Sequence, residues 1–307
     1  MLIGVSTHKG GSGKTTIATN LATSIAQLFP NKSILLLDLD GQCGVSVSFG
    51  KSPKKYIDQS ILSIINQTKQ ISEVIDNEVK NDKGEIISNL SIIYSEPNLR
   101  AFDHLINENM KIKDNLLKIL EHLKNTFDYV IVDTPPAFST INLCVFLKSD
   151  LVVSPFEAER QNIEGSLAVI NELKKERYSN KPIIYLLPNR VKDWIKIDVS
   201  LLEYIDKVIP KDNHIYMSRY KLPESTQYKS TTTFEKVPLF LSNNKSQSIL
   251  TQKALIIEIT KDILKKLDNN LVNENKQDNS KILNLDKILN KNFDKYLDKV
   301  NERYGKK

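Results

Sequence analysis

The stretch Lys9–Thr16, KGGSGKTT, constrains this chain more than any other. It follows the apolar run LIGVS and precedes TTIATNLATSIAQLF, whose apolar spacing predicts a helix. Strand, glycine-rich turn and helix in that order wrap an anion. Gly10, Gly11 and Gly13 let backbone N–H groups approach phosphate oxygens, and the helix adds its positive N-terminal end. In such a loop Lys14 reaches the β- and γ-phosphates of a nucleotide, the Thr15 hydroxyl ligates Mg²⁺, and Thr16 helps to hold the α-phosphate. The usual pattern, G-x-x-x-x-G-K-[ST], asks for glycine at position 8, but His8 stands there and Lys9 follows it. Lys9 precedes the wrapped part of the loop, so it is poorly placed to duplicate Lys14. A cation there either points into solvent or meets the phosphates held by a second subunit packed face to face.

The rest of the chain supplies the companions such a loop needs. KSILLLDLD reads as a second buried strand ending in Asp38 and Asp40, and FDYVIVDTPP as a third ending in Asp133. Asp133 suits a magnesium ion held through water, and one of Asp38 and Asp40 could orient the water that attacks the γ-phosphate. Thr15, Asp133 and Asp40 are thus the candidate metal-site residues. LSIIYS, DLVVSPF and PIIYLLPNR read as further strands, with helices expected at 112–124, 160–176 and 247–267. Continuous Val, Ile and Leu runs alternating with helices predict an α/β fold, a doubly wound and mostly parallel sheet with helices on both faces. That domain is expected to span 1–267, followed by an Asn-rich polar linker at 268–280 and an amphipathic helical tail at 281–307.

No apolar run approaches the ~18 residues of a membrane span. Two cysteines, Cys43 and Cys144, argue against a disulfide framework and suit a reducing cytoplasm. The net charge of +6 fits a polyanionic partner.

KGGSGKTT, LLLDLDGQ and FDYVIVDTPP resemble, in order and spacing, the deviant Walker A, switch and Walker B motifs of the ParA/MinD ATPases, and DLDGQCGVSVSFG is closer to the small, Soj-like ParA form. This resemblance implies a P-loop ATPase that uses ATP and Mg²⁺, with Lys9 and Lys14 acting on phosphate and Asp40 supporting hydrolysis. Gly10, Gly11, Ser12, Gly13, Thr15 and Thr16 would line the nucleotide, Asn189 would read the adenine with Arg190 nearby, and Glu157 would lie near a dimer interface. It further implies DNA partitioning in the cytoplasm at the nucleoid: an ATP-sandwich homodimer binds DNA without sequence preference, and a ParB-like activator releases it. Arg219 and Lys221, then Arg190 and Lys192, are the cations expected to meet DNA. Gly41 stands where the family usually has proline and is expected to loosen the switch. Two other readings are a MinD-like ATPase bound to a membrane through its tail, disfavoured by the alternating charges of FDKYLDKVNER, and an iron–sulfur carrier, which would need both cysteines at one cluster.

Overall fold

The computed structural model describes residues 1–101, 109–136, 139–157, 168–172, 174–175, 181–192 and 214–267, with the isolated positions 106, 200, 202, 203, 205, 207 and 302. The expected linker at 268–280 and, apart from position 302, the tail at 281–307 lie outside them.

Seven strands form one sheet: β1 (Leu2–Val5), β2 (Ile34–Asp38), β3 (Leu90–Ile93), β4 (Tyr129–Asp133), β5 (Leu151–Phe156), β6 (Ile183–Pro188) and β7 (Ile215–Met217). Their spatial order is β3-β2-β4-β1-β5-β6-β7, and every pairing is parallel. The α-helices whose two ends lie among the described residues are α1 (Lys14–Leu28), α2 (Gly44–Ser48), α3 (Ile61–Ile65), α4 (Ile71–Val74), α5 (Met110–Thr126), α6 (Thr140–Lys148), α7 (Gln227–Ser230) and α8 (Gln247–Leu267). Of the helix expected at 160–176, residues 168–172 are described and helical.

The strands lack hydrophobic alternation because both faces are covered. Ile3, Val5, Leu36, Ile131 and Val153 pack with Ile17, Leu21 and Ile25 of α1 and with Leu255, Ile259 and Ile263 of α8. Leu2, Leu35, Leu37, Val130 and Val132 pack on the opposite face with Ile61 of α3, Leu116 and Leu120 of α5, and Val145 of α6. Each such side chain contributes about 1.5–3 kcal/mol by leaving water. α1 is enclosed on nearly all sides, so its polar residues must be satisfied internally. The Thr19 hydroxyl donates to the Thr15 carbonyl at 2.8 Å and that of Thr23 to Thr19 at 2.8 Å. Ser24 shares a 2.7 Å hydrogen bond with Thr260 of α8, and Asn20 accepts the Phe240 N–H at 2.9 Å.

The strand order reverses around β1, whose neighbours β4 and β5 lead to opposite halves of the sheet. In doubly wound sheets the crevice at the carboxyl ends of the strands beside such a reversal is where ligands bind. The loop at 6–13, the Asp38–Asp40 segment, Asp133 and Asn189 all lie at that edge.

Candidate functional site

The loop owes its shape to two glycines in the left-handed region, Gly11 at φ 80° and Gly13 at φ 86°. A side chain at Gly13 would be strained, and its Cβ would lie 2.6 Å from Asn189 Nδ2. Asn189 needs that close approach because its amide donates to the Ser12 carbonyl at 2.7 Å, clamping the loop from the end of β6. Around Gly10 and Gly11 the opposite holds: a Cβ would meet nothing within 4 Å, so the backbone lies open to a ligand. Lys14 is buried, and its ammonium donates to the Lys9 carbonyl at 3.3 Å. Desolvation pulls its pKa down, opposed by the charges of Asp133 and Asp40. Lys9 is exposed.

Beneath the loop, the Thr15 hydroxyl donates to Asp133 Oδ2 at 2.6 Å. Asp38 sits opposite Asp133 in the β2–β4 register, and both side chains are wholly buried. Asp38 Oδ1 accepts the Asp40 N–H at 3.0 Å, whereas Asp38 Oδ2 and Asp133 Oδ1 have no hydrogen-bond partner among the described residues. Buried carboxylate oxygens left this way are costly unless a cation or proton compensates them. A hydroxyl, a carboxylate with an unengaged oxygen and an open anion cradle fit a hydrated Mg²⁺ carrying a nucleotide, which takes only one or two protein groups.

Burial pushes the Asp133 carboxyl up to about 7, with the charge of Asp40 adding and the Thr15 hydrogen bond and Lys14 opposing. Burial, then the neighbouring Asp133, likewise holds Asp38 well above the carboxylate range. The folded chain therefore keeps a proton on Asp133 that the unfolded chain has lost, and stability falls as pH rises from 3.8 to about 7. Asp133→Asn removes that loss. Without nucleotide or Mg²⁺, the variant is expected to melt above the wild type at pH 8, with the difference shrinking toward pH 4. Thermal melts across that range check it, and a variant less stable than wild type at pH 8 contradicts it.

Asp40, unlike Asp38, lines the cleft. Burial raises its pKa, opposed by the Gln42 N–H that donates to Oδ1 at 2.8 Å and by Lys14 and Arg100. The cleft encloses about 780 Å³ and runs from Gly10–Thr16 past Asp40 and Val47 to Asn189, Arg190, Glu224 and Tyr228. Ile256, Ile259 and Thr260 of α8 form its inner wall.

The expected nucleic-acid cations are more engaged than their sequence surroundings implied. Arg219, taken from sequence as a cation on an exposed, stiff loop, pairs with the buried Asp262 of α8 at 2.9 Å. Arg190, at φ 52°, pairs with Glu157 at 3.1 Å, and Lys192 lies 3.7 Å from Glu224. Lys221 is partly buried. Cys43, in the switch, and Cys144, in α6, are both buried, and neither is in a disulfide.

Two groups of site residues carry no local sequence signal. Asn142 of α6 donates to Ser6 Oγ at 2.9 Å, to Thr134 Oγ1 at 3.1 Å and to the Pro135 carbonyl at 3.2 Å, tying the ends of β1 and β4 together. Ser95 and Arg100, beyond β3, bond to the carbonyls of Asp40 and Gly41. The Asn142–Ser6, Ser95–Asp40 and Arg100–Gly41 contacts join residues more than fifty positions apart, so only the fold reveals them.

The AAA_31 family model, described as an AAA domain, matches residues 1–184, more than half of the chain. The chain belongs to this family, that of the ParA-type P-loop ATPases. A ParA family protein of Mycoplasma genitalium is 28% identical over 279 residues, covering 90% of this chain and 99% of its own. The sporulation initiation inhibitor Soj of Bacillus subtilis is 27% identical over 173 residues, covering 56% of this chain and 64% of its own. A plasmid partition protein of Borrelia burgdorferi, solved with AMPPNP, superposes with a TM-score of 0.65 over 85% of this chain and 98% of that one, at 23% identity. At that identity the superposition speaks for the ParA-type fold alone. Among the described residues, no helix is long and apolar enough to cross a membrane.

Proposed function

We propose that this ParA-type protein is a Mg²⁺-dependent ATPase that partitions DNA, binding it without sequence preference as an ATP-held homodimer and leaving it when a ParB-like partner stimulates hydrolysis. The observation that carries this reading is the convergence of Lys14, Thr15 and Asp133 beneath an open glycine loop.

In this reading the loop N–H groups and Lys14 bind the phosphates, Lys14 using the donors that its bond to the Lys9 carbonyl leaves. Thr15 and Asp133 would hold the metal, which would supply charge neutralisation to the nucleotide's phosphates. Asp40, mounted on the switch at the cleft wall, orients the attacking water, a positioning task rather than strong base chemistry. Lys9, exposed at the start of the loop, would reach the partner subunit's phosphates and stabilise charge that develops on the transferred group. Asn189 supports adenine over guanine. One of its two amide N–H groups is given to Ser12, which fixes the side chain and leaves Oδ1 to accept from an exocyclic amine. Lys221 with Arg219, Arg190 and Lys192 would meet phosphates rather than base edges. The last three could do so only by sharing or exchanging their carboxylate partners.

A filter-binding titration on random-sequence DNA across a salt series tests the whole cycle. ATP is expected to tighten binding at least about tenfold over ADP and to steepen the salt slope roughly twofold, because a dimer doubles the phosphate contacts. Lys9→Ala is expected to bind ATP normally yet behave in this assay as the ADP state does. Equal wild-type binding with ATP and ADP, or none with either, overturns the DNA-partitioning reading. Lys9→Ala binding DNA as the ATP-bound wild type does overturns the cross-dimer role.

A further inference from the structure

The switch segment Asp40–Gln42 is held by residues that the nucleotide motifs do not contain. Ser95, fully buried just beyond β3, donates its hydroxyl to the Asp40 carbonyl at 2.6 Å. Five residues on, Arg100 Nε donates to the next carbonyl, that of Gly41, at 3.0 Å. Two successive switch carbonyls are therefore fixed by one short segment.

The packing at Gly41 is tighter than a hydrogen bond requires. A Cβ there would lie 2.6 Å from Arg100 Cγ and 2.7 Å from the Arg100 backbone nitrogen. Any side chain at position 41 would force the two segments apart. Gly41 is not among the positive-φ glycines, so glycine is needed here for close approach and not for backbone conformation. The glycine expected to loosen the switch instead lets Arg100 seat against it. Arg100 is itself exposed, so its side chain is not there to fill the core. Its guanidinium also acts electrostatically on Asp40, favouring the charged carboxylate.

We propose that Arg100 is a positioning residue for hydrolysis: by gripping the Gly41 carbonyl it fixes the backbone on which Asp40 is mounted, and Gly41 is the complementary half of that contact. This rests on the reading of Asp40 as the water-orienting group. Arg100 touches neither nucleotide nor metal in this scheme, and it acts through the peptide next to Asp40.

The test uses the full chain with Arg100→Ala and Arg100→Lys. Hydrogen–deuterium exchange of the amides at 40–43, without nucleotide, is expected to speed up at least about fivefold in Arg100→Ala, with Arg100→Lys in between because lysine keeps one donor for the carbonyl. With ATP, kcat is expected to fall about tenfold in Arg100→Ala while KM stays within about twofold, since a displaced catalytic group costs rate and not ground-state binding. Unchanged exchange at 40–43 overturns the proposal. So does a loss confined to KM, which would make Arg100 a support of the binding cleft, or an Arg100→Lys variant as impaired as Arg100→Ala in both measurements. Absence of turnover in the wild type would instead sink the ATPase reading, and the exchange experiment would still decide whether Arg100 holds the switch.

Discussion

Lys14→Ala is expected to bind ATP at least about 100-fold more weakly than the wild type. Two charge-assisted hydrogen bonds to phosphate oxygens contribute roughly 1.5–3 kcal/mol each, and every 1.4 kcal/mol is a factor of ten. The environment of Lys14 argues for the upper part of that range. Its ammonium is already largely stripped of water and held beside Asp133 and Asp40, so little further desolvation is required when phosphate binds. Without this cation the site presents a bound polyphosphate with two carboxylates and only partial compensation from the loop N–H groups. Isothermal titration with ATP and Mg²⁺ measures the effect, and a loss below about fivefold would show that the loop backbone holds the phosphates alone.

Asp40→Ala should do the opposite, keeping ATP affinity within about threefold and lowering turnover about 100-fold, as expected when the group that orients the attacking water is removed. Sequence left Asp38 and Asp40 as alternatives until the family resemblance chose between them. The structure separates them by environment. Asp38 is fully buried, faces Asp133 across the sheet and accepts the Asp40 N–H, whereas Asp40 lines the cleft. Phosphate release at saturating ATP gives the rate, and light scattering after an ADP chase gives the lifetime of the proposed dimer, which should lengthen. Wild-type turnover in Asp40→Ala would move the water-positioning role elsewhere.

Six of the seven strands and the helices at 110–126 and 247–267 were legible because buried parallel strands are continuous apolar runs and covered helices carry wide apolar stripes. The three-residue β7 was not, since IYM is too short to stand out in a polar stretch. In the site, spacing alone identified the loop and the strand-end aspartates, because phosphate chemistry fixes both residue type and position. Asn142, Ser95 and Arg100 stayed hidden: their amides, hydroxyls and guanidinium act on backbone carbonyls or side chains brought near only by the fold. The contact of Gly41 with Arg100 was hidden for the same reason. A glycine's conformational freedom is visible in sequence, and the atom that fills the space beside it is not. Arg219 differs again, since its partner Asp262 is a carboxylate buried on a helix forty-three residues away.

The hydroxyl pair between Ser24 and Thr260, 236 residues apart, brings the two ends of the domain together at the nucleotide cleft. During synthesis the phosphate loop leaves the ribosome first, whereas the isoleucines of α8 that wall the cleft emerge more than two hundred residues later. Closing so long a loop is entropically costly and slow, and it comes late in folding. A growing chain thus carries the phosphate-loop motif long before the helix that walls its cleft has been made, so the cleft is complete only in the finished domain.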